Sequence, residues 1–78
     1  MKTNVSIKFN SIEEYREIEK KLVELGYKPD EYWNKYMLEE YKPCYTTIFI
    51  NENSFGLYDR VYPELEEVYN SLEEFLKD

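Results

Sequence analysis

FNSIEEY, from Phe9 to Tyr15, and YNSLEEF, from Tyr69 to Phe75, are near-copies set sixty residues apart in a chain of 78. Either the chain is a tandem repeat or one local device is used twice. The residues before the first copy decide between these. In TNVSIKF, Val5, Ile7 and Phe9 alternate with Asn4, Ser6 and Lys8, the period of two that marks a strand with one buried face. The next residues form a capping box: Ser11 can accept from the N–H of Glu14 while Glu14 reaches back to the N–H of Ser11, with Asn10 as a second possible cap. Glu13 and Glu14 also suit the positive end of a helix dipole. Tyr15, Ile18, Leu22 and Leu25 then recur at three- and four-residue steps, which gives one apolar helical stripe over 11–26, and Gly26 can take the left-handed conformation that ends it.

The second copy repeats those parts, with Ser71 and Glu74 three residues apart, so SLEEFLKD is expected to open a short helix after an extended EEVY. A rival remains open for 63–77. Leu65, Val68, Tyr69, Leu72, Phe75 and Leu76 also fit one continuous helix with Pro63 in its first turn. Nothing else is shared between the copies, so they are repeated punctuation and not a tandem repeat.

Between them, YKPDEYWNKYMLEEYKP is bracketed by Pro29 and Pro43, each of which disfavours helix at the residue before it. It reads as an ordered aromatic connection, with a short strand or helical turn near Tyr32–Met37. YTTIFIN carries bulk on both faces and is expected to lie centrally in a sheet. NENS is a turn, and FGLY the returning strand, in which Gly56 marks a bulge or a close approach. The expectation is one α+β domain over 1–78: a small, mostly antiparallel sheet of three or four strands, with a long N-terminal helix and a C-terminal helix on one face. A chain this short buries only about 60% of its unfolded surface. Nine tyrosines, four phenylalanines and one tryptophan enlarge its core, at roughly 150–250 Å² per ring.

VSIKFNSIEEYREIEKKLVELGYK, the aromatic middle, TTIFIN and the closing EVYNSLEEFLKD together resemble a loose group of small acidic proteins encoded by phages and prophages of Gram-positive bacteria. The resemblance implies a strand–helix start, a closing EEFL helix and an accessory role inside a bacterial host. It implies no activity for any particular residue.

Composition narrows the function. There is no histidine, and Cys44 is alone, so Ser–His–Asp, Cys–His and zinc arrangements are excluded and no internal disulfide forms. Cys44 reads as a small buried hydrophobe. Gly26 and Gly56 are the only glycines and form no phosphate loop; an Asp-rich calcium loop is also missing. The opening MKTNVSIKFN lacks the apolar run of a signal peptide, and no stretch of eighteen apolar residues occurs, so the expected setting is a reducing cytoplasm without membrane contact. The expectation is a binding protein rather than an enzyme, with no cofactor and no metal.

Charge supplies the lead. The formal net charge is −7, which disfavours direct nucleic-acid binding. The stretch from Glu13 to Lys28 interleaves Arg16, Lys20, Lys21 and Lys28 with Glu13, Glu17, Glu19 and Glu24, so the first helix has a mixed surface, and Glu17–Lys21 is a favourable i,i+4 pair. The C-terminal stretch is one-sided: Asp59, Glu64, Glu66, Glu67, Glu73, Glu74 and Asp78 face only Arg60 and Lys77. Such an excess steers a basic partner, and the leading expectation is a phage-derived protein that binds and modulates a host protein, as an inhibitor of host defence or by occupying a basic nucleic-acid-binding surface. The alternative is a nucleotide-sequestering pocket built from Tyr27, Tyr32, Trp33, Tyr36, Tyr41 and Tyr45 with Lys35, Lys42 and Arg60. The same rings also suit a homodimer face.

Overall fold

The structure is a computed structural model and describes residues 2–40, 46–52, 54–60, 63–64 and 66–78. The readings placed on Tyr41, Lys42, Pro43, Cys44, Tyr45 and Leu65 lie outside these residues. Along the chain run β1 (Val5–Lys8), α1 (Ile12–Glu24), β2 (Lys28–Pro29), α2 (Glu31–Glu40), β3 (Thr47–Asn51), β4 (Ser54–Tyr58), β5 (Glu67–Tyr69) and α3 (Leu72–Lys77). The strands form one sheet in the order β2-β4-β3-β1-β5.

Both serine N-caps form and set the two helix starts, but at the second site the Glu74 carboxylate makes no return bond to the preceding backbone among the described residues. The N–H of Glu14 donates to Ser11 Oγ at 3.2 Å, and that of Glu74 to Ser71 Oγ at 3.1 Å. The return arm at the first site differs from expectation by one residue: the Glu14 carboxylate accepts from Asn10 N–H, not from Ser11. α1 is also shorter than 11–26, because Ser11 is an extended N-cap and Leu25 the C-cap. Gly26 adopts φ 101°, and the N–H groups of Gly26 and Tyr27 donate to the carbonyls of Val23 and Leu22, each at 3.0 Å. That pair of bonds is a Schellman ending. Tyr15, Ile18 and Leu22 are buried as expected, but Leu25, past the last turn, is 43% exposed. The ion pairs along α1 are Arg16–Glu19 and Lys21–Glu24, not Glu17–Lys21.

The sheet has five strands and is mixed, where three or four mostly antiparallel strands were expected. β3 lies at its centre, antiparallel to β1 and β4, with the β3–β4 hairpin turning through Glu52 at φ 57°. The strands at the two sides are both parallel: β2 beside β4, β5 beside β1. β5 falls within the EEVY expected to be extended, whereas the two residues of β2 carry too little period to be read from sequence.

The middle segment is the second correction. Glu31–Glu40 is a helix rather than an irregular connection. Pro29 restricts only Lys28, which is extended in β2. Asp30 then caps α2, its Oδ1 accepting the N–H of Trp33 at 3.1 Å while its carbonyl accepts that of Asn34 at 2.8 Å. At the C-terminus the strand-then-helix alternative holds for Glu67–Tyr69 and Leu72–Lys77.

Register divides the sheet into two faces. Val5, Ile7, Ile48, Ile50, Phe55, Leu57 and Tyr69 share one face, and with Tyr15, Ile18 and Leu22 of α1 and Phe75 of α3 they form the core. Phe75 meets the Tyr69 ring edge-on at 5.5 Å and tilts against Tyr27 at 6.4 Å. The other face carries Ser6, Lys8, Thr47, Phe49, Gly56, Tyr58 and Val68. α2 runs beside β4 and lays Trp33 over Gly56, where an added Cβ would sit 2.9 Å from the indole Cδ1. The close approach expected at Gly56 is therefore to this ring.

Candidate protein-binding surface

The acidic residues separate into two places. Asp59 follows β4, beside Arg60, whose guanidinium donates to it and holds its carboxyl below the usual range. Three strand spacings, roughly 14 Å, separate β4 from β5, so Asp59 does not join the other acids across the sheet. Glu66 and Glu67 lie just before and in β5, and Glu73 and Glu74 lie in the first turn of α3. Glu64, Glu67, Glu73 and Glu74 are exposed and Glu66 is half-buried.

Two of these carboxylates are held in place. Ser6 Oγ, from the neighbouring strand, donates to Glu66 Oε1 at 2.6 Å. On the opposite face the Tyr69 hydroxyl lies within hydrogen-bond reach of both Glu67 Oε2 and Asp78 Oδ2. One phenolic proton serves one carboxylate at a time. The Asp78 and Glu67 hydrogen bonds, together with burial, push the Tyr69 phenol well above its usual range, and the same bond from Tyr69 holds Asp78 low. Lys2 completes the arrangement. Its ammonium donates to the Phe75 carbonyl at 2.5 Å and lies 4.5 Å from the centroid of the Phe75 ring. Tyr27 donates its hydroxyl to the Lys2 carbonyl at 2.7 Å, so the N-terminal segment is tied beneath α3. Glu73 forms an i,i+4 pair with Lys77 at 3.2 Å, both side chains well exposed. The roles of Ser6 and Lys2 were not legible, because their partners Glu66 and Phe75 lie 60 and 73 residues away; that of Tyr69 was missed although Glu67 and Asp78 are only two and nine residues from it, because no sequence motif marks such a contact.

The aromatic set is dispersed. Tyr27 is buried in the core against Phe75, and Tyr32 is 88% exposed. Trp33 and Tyr36 lie together on the second sheet face, in a chain with Tyr58 and Phe49 whose successive centroids are 5.8, 5.8 and 5.7 Å apart. The cations are no closer to a common site. Lys35 lines a 390 Å³ open groove between α1 and α2, whose only aromatic lining among the described residues is Tyr15. Arg60 lines a separate depression with Lys8, Phe9 and Thr47, and Tyr27 a third with Lys2, Leu25 and Leu76. Among the described residues, Tyr27, Lys35 and Arg60 thus fall in three different depressions and do not converge on one ligand.

Among the described residues there is no group of three or more metal-ligating His, Cys, Asp or Glu side chains, and no helix is long and apolar enough to cross a membrane. The fold class is a small α+β protein built on a mixed five-stranded sheet. Compared with family models, curated proteins and solved structures, the chain matches none.

Proposed function

We propose that this chain is a small acidic binding protein whose β5–α3 end docks on a basic surface of another protein and thereby modulates it. A bacterial host protein is the kind of target that the resemblance to phage accessory proteins implies. The observation that carries the reading is the outward placement of Glu64, Glu67, Glu73 and Glu74 on adjoining elements. From Glu64 to Asp78 there are six carboxylates against the single basic side chain of Lys77, so most of the −7 net charge lies at this end. Burying a polar or aromatic pocket is not needed for such a role. Complementary charge raises the encounter rate and rejects acidic surfaces.

The test is capture from bacterial lysate by the wild-type chain and by two charge-reversed variants. One carries Lys at Glu66, Glu67, Glu73 and Glu74. The other carries Lys only at Glu64, Glu73 and Glu74, which spares the Ser6 and Tyr69 hydrogen bonds. Circular dichroism checks that both fold. Basic proteins held by the wild type should be lost by both variants and released at roughly 1 M salt, where the screening length falls to about 3 Å. The same proteins captured equally by folded, charge-reversed chains would remove the reading.

A further inference from the structure

β5 ends the sheet on one side. The Glu67 N–H is spent inward, on the carbonyl of Asn4 at 3.3 Å. Backbone groups alternate in direction along a strand, so the N–H and C=O of Val68 point away from β1. Among the described residues no strand pairs with that outer edge. An edge of this kind is a template for an added strand.

The side chains around it say which strand. Val68 is half-buried on the second sheet face, and Glu66 on that same face is fixed by Ser6. Glu67 lies on the core face, fixed by Tyr69, with Asp78 joined to the same hydroxyl. A second copy of β5 laid parallel and in register would set Glu66 and Glu67 beside their own counterparts, and one laid antiparallel about Val68 would still bring the two Glu67 side chains into diagonal reach on one face; like charges across a strand pair are destabilising. A basic strand meets the opposite situation. Resting on the acidic-partner reading above, we propose that the outer edge of β5 takes up an extended basic segment of a partner protein as a sixth strand. Its backbone pairs at Val68, an apolar side chain lies beside Val68, and Lys or Arg side chains meet Glu66, Glu67 and Asp78. In a parallel approach the segment reads basic, basic, apolar, basic; the antiparallel approach reverses that order.

The probe is the capped peptide Lys-Val-Lys-Lys-Val-Lys, which contains the pattern in both directions. Two analogues N-methylated on alternate residues keep its charge, and one of them must lose the donors that face β5. Binding is measured at low salt by titration and by amide exchange in the full chain. The parent peptide should slow exchange of the Val68 N–H by about tenfold or more. One N-methylated analogue should bind about tenfold more weakly, the worth of one or two net hydrogen bonds. The Val68→Pro variant, which deletes the outward donor while leaving the Glu67 and Tyr69 N–H groups in place, should lose affinity similarly. Equal binding of both N-methylated analogues, an unprotected Val68 N–H, or no binding of the parent peptide would each overturn strand addition. Equal binding of the analogues would leave charge-driven docking standing. Val68 protection that survives reversal of Glu64, Glu73 and Glu74 with no loss of affinity would count against the acidic end instead.

Discussion

Asn34 Oδ1 accepts the N–H of Leu57 at 2.8 Å from a side chain only 4% exposed, while its Nδ2 reaches the carbonyl of Phe55 at 3.5 Å. A side-chain amide on a helix thus takes the place of a neighbouring strand along the part of β4 that β2 is too short to cover. The N–H of Asp30 and the indole of Trp33 satisfy the remaining carbonyls of Phe55 and Leu57, at 2.8 and 2.7 Å. Asn34→Leu would leave a buried donor without a partner, a loss of about 1–3 kcal/mol. Urea unfolding should show that loss, and exchange of the Leu57 amide should quicken beyond what the global destabilisation explains.

Gly56 and Trp33 are coupled by space rather than by charge. A methyl at position 56 meets the indole at 2.9 Å, so Gly56→Ala must displace Trp33 from Leu57 and from the Tyr58 ring. The expected cost is about 1–3 kcal/mol with a red-shifted Trp emission. In a Trp33→Ala background the same glycine change should cost much less, and the double-mutant cycle measures the difference.

The two caps should respond differently. Ser11→Ala and Ser71→Ala each remove one N-cap acceptor, worth about 1 kcal/mol. α1 is thirteen residues long with three buried side chains, so its loss should appear as reduced global stability. α3 has six residues and buries Phe75 alone, so its loss should appear as local opening, read as faster exchange at Phe75 and Leu76 with a smaller shift in the urea midpoint.

Tyr69 and Asp78 make a pH prediction with opposite signs. The Tyr69 phenol is raised above its ordinary value of 10.0 in the fold, so its contribution is complete below that value and is lost as alkali titrates the folded phenol. Asp78 is lowered below 3.8, so its contribution is complete above that value and is lost as acid reaches its folded pKa. Absorbance titration should find Tyr69 among the last phenols to ionise, with Tyr27 also late because of its burial. In Tyr69→Phe the Asp78 carboxyl resonance should titrate at higher pH than in the wild type. An unmoved Asp78 titration would show that the hydroxyl does not hold it.

Local chemistry explains which parts of the fold were readable. Both caps, the glycine stop, the central β3 and the β3–β4 hairpin rest on residues within a few positions of one another, and each appears where expected. α2 was misread because the prolines flanking its segment look like helix breakers from outside, although Asp30 after Pro29 is a starting cap. The candidate surface was legible only as a count of acids. Asp59 fell out of it because β4 and β5 are three strands apart, and Arg60 neutralises it locally.

The sequence by itself determined the punctuation and the charge: where α1 and α3 begin, where α1 stops, and that the C-terminal stretch is acidic. These depend on side chains bonding to their own neighbouring backbone, or on charges that no fold can remove. Only the tertiary structure decided that β2 and β5 join the sheet in parallel, that Asn34 closes the side of β4, and that the backbone of Val68 faces outward beside the pinned carboxylates of Glu66 and Glu67. Such features come from pairing distant short segments, and two or three residues gain enough from pairing only when the core has already set them side by side.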